Sequence, residues 1–183
     1  MKNIFFHFIG GSEGEWSVTK LNAVRGDGLE HVSHLKIKQM EFPHQPDDGK
    51  WVLRGFTSNL RYTERREQAD LSARQENLGR HAATCAALIP IRKSDEWWLL
   101  PQDERRRIFE AQSQHIATGM KFLPAVARRL YHSKDIGEPF DFLTWFEFAP
   151  PDADAFEELV GMLRSTHEWD FVEREVDIRL TKV

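Results

Sequence analysis

The segment Phe140 to Phe148 limits the possible folds more than any other part of this chain. Phe140, Phe142, Thr144, Phe146 and Phe148 fall on one side of a period-two pattern, so the segment reads as a strand whose strongly apolar face must be covered. Four earlier runs read as strands too: Ile4 to Ile9, Trp16 to Val24, Val32 to Phe42 and Lys50 to Tyr62. They are separated by Gly10-Gly11, Gly26-Asp27-Gly28 and Pro46-Asp47-Asp48-Gly49, residues that favour turns. The apolar run Cys85 to Ile91 adds another strand, and Val172, Val176, Ile178 and Leu180 define one face of a last one.

Helical spacing appears between these strands. Leu71, Gln75, Leu78 and Ala82 share one face of a charged segment that begins at Thr63. Pro101 followed by Asp103 and Glu104 is a helix start, because proline is tolerated in the first turn and carboxylates favour the positive end of the dipole. That helix is expected to carry His115 and to end near Gly119. Pro124 is expected to begin another, which carries Arg128 and runs to about His132. Phe156, Leu159, Val160 and Leu163 sit at i, i+3, i+4 and i+7 of a last helix. Strand, helix, strand thus occurs twice. The expectation is an α+β, ferredoxin-like fold, a largely antiparallel sheet with helices on one face, in one domain of 183 residues divided at about residue 84.

Several function classes lack their starting signal. The net charge of −4 comes from 29 acidic and 25 basic residues that are interspersed, which leaves no basic stripe for a phosphate backbone, so nucleic acid is not an expected partner. The eight histidines are dispersed, and no His-Glu-x-x-His, Cys-x-x-Cys or EF-hand pattern occurs. The one cysteine, Cys85, lies in an apolar run and reads as a buried thiol. The opening run Ile4 to Ile9 is interrupted by His7 and followed by acidic residues, which suits a strand better than a signal peptide. No run approaches the roughly 18 apolar residues of a membrane span. A cytoplasmic location is the default expectation, with a periplasmic one if a leader has been removed.

A few residues can carry chemistry. His115 lies on the helix face shared with Ile108 and Ala111, and by pattern alone reads as a core histidine. A neutral imidazole is also a good axial ligand for haem iron when its other nitrogen donates to a carboxylate, for which Glu168 is a candidate. The apolar residues around Arg128 and Arg129 do not say which of the two points inward. Trp97 and Trp98, beside Lys93 and Glu96, supply aromatic bulk at a strand end and can stack beside a macrocycle.

Taken in order, these pieces resemble the chlorite dismutase family in its short form. The matching stretches are Ser58-Asn59-Leu60-Arg61-Tyr62, Lys93 with Glu96-Trp97-Trp98, His115, Leu123-Pro124 through Arg128 with Leu130-Tyr131-His132-Ser133, Phe140-Asp141-Phe142 through Trp145-Phe146-Glu147, and Glu168-Trp169. The resemblance implies a duplicated, partly truncated ferredoxin-like repeat in a dimeric α+β barrel, with haem b as cofactor and a homodimer as the assembly. It implies that His115 is the proximal iron ligand, that Glu168 accepts its hydrogen bond with Lys93 in the same network, and that Arg128 rather than Arg129 is the distal residue. Trp97 and Trp98 would pack near the haem or a subunit boundary. Asn59 and Tyr62 match positions near the haem propionates, while Thr144, Phe146 and Leu123 would wall or close the distal pocket. The activity implied is decomposition of chlorite to chloride and dioxygen, with Arg128 retaining hypochlorite. The alternatives are a coproheme decarboxylase or weak peroxidase of the same family, or a cofactor-free ferredoxin-like binding protein.

Overall fold

In the computed structural model, residues 4–44, 46–57, 74 and 76–183 are described. Eight strands close into one barrel: β1 (Phe5–Gly11), β2 (Trp16–Arg25), β3 (His34–Met40), β4 (Trp51–Phe56), β5 (Cys85–Lys93), β6 (Ala127–His132), β7 (Phe142–Phe148) and β8 (Val172–Lys182). Around the ring the order is β1, β3, β2, β8, β5, β7, β6, β4, with antiparallel pairing throughout. The order holds a repeat. The first four strands lie as 4-1-3-2, and the last four lie as 8-5-7-6, which is the same ferredoxin-like order.

The helices described over their whole length belong to the second set of strands. Between β5 and β6 run α1 (Asp95–Leu99), α2 (Gln102–Arg106), a π-helical turn (Arg107–Gln112) and α3 (His115–Lys121); between β7 and β8 runs α4 (Ala153–Arg164). In the first set, β1 connects to β2 and β3 to β4 with no helix among the described residues.

This asymmetry explains the apolar run at β5. Ala86 and Leu88 face the barrel interior with Phe8, Trp16, Leu35, Leu143, Trp145 and Ile178, whereas Ala87, Ile89 and Ile91 face outward into a second core beneath the helices. A strand covered on both faces reads as continuous rather than alternating hydrophobicity. All four expected apolar positions of α4, Phe156, Leu159, Val160 and Leu163, enter that second core. The Phe156 ring stacks on Phe148 at 4.5 Å and tilts against Phe146 at 5.2 Å. Full burial of such a side chain stabilises by roughly 1.5–3 kcal/mol. Cys85 is half-buried at the start of β5.

Some local expectations are corrected. Phe140 precedes β7 and packs inside the barrel, while Phe146 and Phe148 face the helices, so the apparent alternation spans a change of face. Val172 likewise faces the helices, and Val176, Ile178 and Leu180 face the interior, because the pairing of β5 with β8 is irregular between Arg92 and Lys93. The helix expected from Thr63 to Ala82 falls mostly outside the described residues. Of its named positions, Leu78 and Ala82 are described, and neither is helical.

Candidate active site

His115 does not lie deep in a helix. After α2 the chain widens into the π-helical turn, and Gln114 takes a left-handed conformation with φ of 50°, which ends the helical run and makes His115 the first residue of α3. The carboxylate of Glu110 then accepts hydrogen bonds from the backbone N–H groups of Ile116 at 2.7 Å and Ala117 at 3.2 Å, satisfying donors that a new helix start leaves open. The helix runs past Gly119 to Lys121. The charged first turn after Pro101 suggested one long helix because periodicity does not register a single left-handed residue.

Three charged or polar side chains meet behind this histidine. His115 Nδ1 lies 2.7 Å from Glu168 Oε2, and Lys93 Nζ donates to Glu168 Oε1 at 2.8 Å and to the Glu168 carbonyl at 3.2 Å. Glu168 sits in the short 3₁₀ turn His167–Phe171, where its backbone N–H donates to Ser113 Oγ at 2.9 Å. Both charges are buried, Lys93 at 5% exposure and Glu168 at 3%. Burial alone would raise the Glu168 carboxyl, but His115 and Lys93 outweigh it and hold the pKa down at about 2. Burial lowers the Lys93 pKa against the attraction of Glu168. Glu168 is therefore a carboxylate and only accepts, so Nδ1 of His115 carries a proton and donates it to Glu168, and Nε2 lies on the opposite edge of the ring.

Aromatic rings and one further carboxylate pack around the lysine. Lys93 Nζ stands 4.7 Å over the buried Trp97 ring and 5.4 Å over Trp169. Asp141 Oδ2 accepts from the Lys93 backbone N–H at 2.7 Å and from Trp98 Nε1 at 3.1 Å, which fixes the end of β5 and the Trp98 ring together.

Arg128 is on a strand, which corrects the expected helix from Pro124 to His132. β6 pairs residue by residue with β7, and that pairing outweighs the helical suggestion of Ala125-Val126-Ala127. The register also decides between the two arginines. Arg128 lies opposite Phe146 and Leu130 opposite Thr144, on the sheet face that looks toward the helices, whereas Arg129 lies opposite Trp145, whose ring fills the barrel interior. Burial lowers the pKa of Arg128, while Glu110 and Glu168 pull it upward. Leu123 is half-buried in the turn that joins α3 to β6. Asn59 and Tyr62 lie outside the described residues.

Thus hydrogen bonds link His115, Glu168, Lys93, Asp141 and Trp98, with the Trp97 ring under the Lys93 ammonium, and Arg128, Thr144 and Phe146 share the sheet face toward the helices. Among the described residues no three His, Cys, Asp or Glu side chains cluster around a metal position. A metal here would rest on the single imidazole and needs a ligand that brings its own remaining donors, as a porphyrin does.

A sequence model of the chlorite dismutase family matches residues 41–183. The chain belongs to the chlorite dismutase family. A curated family relative, chlorite dismutase from Ideonella dechloratans, is 32% identical over 123 residues, which cover 63% of this chain and 39% of that protein. The match thus spans about two fifths of that relative's length. Among solved structures, dimeric chlorite dismutase from Nitrobacter winogradskyi shares 54% identity with a TM-score of 0.90, covering 97% of this chain and 99% of that one. A mutant chlorite dismutase from Candidatus Nitrospira defluvii, at 17% identity and a TM-score of 0.67, covers 98% of this chain and 91% of its own, and supports the fold.

Sequence reasoning missed the roles of Ser113, Glu110 and Asp141. Asp141 had a signal, a lone acid within an aromatic strand start. The other two are visible only once the helix break brings them beside His115 and Glu168.

Proposed function

We propose that this protein is a haem b enzyme that converts chlorite to chloride and dioxygen and works as a homodimer. The observation that carries the proposal is the buried Lys93, Glu168 and His115 relay on one side, faced by Arg128 on β6. The donor set fits haem: a single imidazole with its Nδ1 tied to a carboxylate would offer its Nε2 to iron held by a porphyrin. Bound haem would supply the redox-active iron at which oxygen is transferred and the O–O bond is made.

The chain's own residues divide the remaining work. His115 would bind the iron, and Glu168 holds the Nδ1 proton and makes the imidazole a stronger donor. Lys93 neutralises Glu168 in a buried setting, so the carboxylate stays ionised without needing water. Arg128 attracts the chlorite anion, orients it through charge-assisted hydrogen bonds and keeps hypochlorite from escaping. A guanidinium stays protonated and is no proton donor here, which suits a net reaction that moves no protons. Phe146 and Thr144 present a mostly apolar wall beside it.

Oxygen evolution from chlorite, followed with an electrode on haem-loaded protein, tests this reading. Rapid oxygen release is expected, with a loss of about tenfold or more in Arg128→Ala. His115→Ala is expected to lose most of its haem. Oxygen release no faster than with free haemin overturns the chlorite reading, and conversion of bound coproheme to haem b by peroxide would then favour the decarboxylase.

A further inference from the structure

Glu168 reaches His115 from the short turn His167–Phe171, which follows α4 and leads into β8, so whatever holds that turn decides where the carboxylate meets the imidazole. Trp169, the residue after Glu168, is buried in the second core, and its Nε1 donates to Glu175 Oε2 at 2.8 Å. Glu175 lies on β8 and is fully buried; its other oxygen, Oε1, accepts from Arg164 Nε at 2.7 Å and from Arg164 Nη2. Arg164 is the last residue of α4. The indole at the middle of the connection is thus bonded to a carboxylate that joins the connection's two ends. Arg25 of β2 grips the same turn, its Nη1 donating to the carbonyls of Trp169 at 2.8 Å and Val172 at 2.9 Å.

The pair of Glu175 and Arg164 does more than fasten α4 to β8. Asp177 already accepts from Arg164 Nη2 at 3.0 Å, and both guanidinium contacts to Glu175 use Oε1, which leaves Oε2 to the indole. Replacing a buried ion pair by apolar side chains of similar volume is often neutral, so stability alone does not call for one here. The Trp169 ring also lies 5.4 Å from Lys93 Nζ, so the same indole borders the ammonium that neutralises Glu168.

We propose that Glu175 and Arg164 are positioning residues for the imidazole of His115: they hold the Trp169 indole, and the indole sets the turn from which Glu168 accepts the Nδ1 hydrogen bond. The inference rests on the reading of His115 as the iron ligand.

Trp169→Phe cuts the tie to Glu175 while keeping a ring and changing no charge, and Glu175→Gln loosens it from the other side. Asp177→Asn is the control, because it removes the other buried acid on Arg164 and leaves the indole's partner in place. The first readout is the iron–histidine stretching frequency of the ferrous haem protein by resonance Raman, which falls as the hydrogen bond from Nδ1 weakens. The second is the midpoint potential of the ferric/ferrous couple, which rises when the imidazole donates less. Both variants are expected to lower the frequency, and Trp169→Phe to raise the potential by a tenfold change in the ferric/ferrous equilibrium, about 59 mV for one electron. Asp177→Asn is expected to keep the parental frequency. An unchanged frequency in Trp169→Phe overturns the proposal, even where Glu175→Gln shifts the potential, because a buried charge acting through space needs no indole. An equal fall in Asp177→Asn overturns it as well, and so does loss of fold or of haem in both Trp169→Phe and Glu175→Gln, because the tie would then be structural. If the parent shows no iron–histidine stretch, the reading of His115 as ligand falls, and the tie is judged on the His115 Nδ1–H proton resonance of the protein as isolated. That proton is expected to exchange with water several-fold faster in Trp169→Phe, and an unchanged rate overturns the proposal.

Discussion

Strands β1–β4 and β5–β8 lie in the same order, but their outer faces are covered differently. Over the first set, the connection between β3 and β4 folds back, and Asp47 reaches His7 Nδ1 at 2.5 Å and Lys38 Nζ at 2.8 Å. His7 stands in register with Lys38, so one carboxylate with a buried side chain ties the loop to polar side chains of two neighbouring strands, β1 and β3. Over the second set, α4 buries an apolar core, and Lys93, His115 and Glu168 meet from the end of β5, the start of α3 and the turn after α4. A loop pinned by one carboxylate can close a sheet face. A helical layer can close it and still gather polar side chains, because His115 starts α3 and Glu168 sits in the 3₁₀ turn that follows α4. The lesson is that duplication of a fold supplies the barrel, while the helices kept in one copy supply the site.

That contrast can be broken by experiment. Phe156→Ala removes the ring that joins α4 to Phe146 and Phe148 and is expected to cost about 3–5 kcal/mol in urea unfolding. Glu168→Gln leaves the Lys93 ammonium buried without its counter-charge, with an expected loss of about 3–5 kcal/mol. Asp47→Ala, the matching change over the first set, should cost less, about 1–3 kcal/mol; an equal cost would mean that the loop-covered half is as dependent on its polar anchor as the helical half.

Acid offers the same comparison without mutation. The Glu168 carboxyl, at about 2 when folded, lies below its ordinary value of 4.5, so its stabilisation is complete above pH 4.5 and is lost as pH falls toward 2. The loss amounts to about 3 kcal/mol and should disappear from the stability curve of Glu168→Gln. Burial pushes the Asp47 carboxyl up, but hydrogen bonds from Lys38 and His7 win and hold it below its ordinary value, so its contribution fades in the same direction of pH. The smallest expected effect is Gly161→Ala, which should stabilise the helical layer by about 0.5–1 kcal/mol in thermal unfolding.

Much of this was legible in the residues. β1, β2, β3 and β8 announce themselves by turn residues and apolar runs, and α4 by its spacing, since each has one dominant periodicity. β6 was not legible: it is short, its ends carry alanine and histidine, and only pairing with β7 makes it extended. The break before His115 was hidden for a related reason, because Gln114 is an ordinary helix former that adopts left-handed geometry under the constraint of its surroundings. Of the site, His115, Glu168, Lys93 and Arg128 were reachable through the family resemblance, whereas periodicity alone read the histidine and the arginines as ordinary core and surface residues. Their supports, Ser113 and Glu110, act across turns that no period encodes.

The barrel is sewn unevenly. β5 is paired along most of its length on both sides, while among the described residues β6 meets β4 through the single pair Phe56 and His132. Lys93 is on the well-sewn strand, and Arg128 is on the strand beside the weak seam. Thermal breathing that begins at the weakest stitching reaches Arg128 before it reaches Lys93. On the proposed reading, warming would cost such a molecule its hold on anions before its hold on haem.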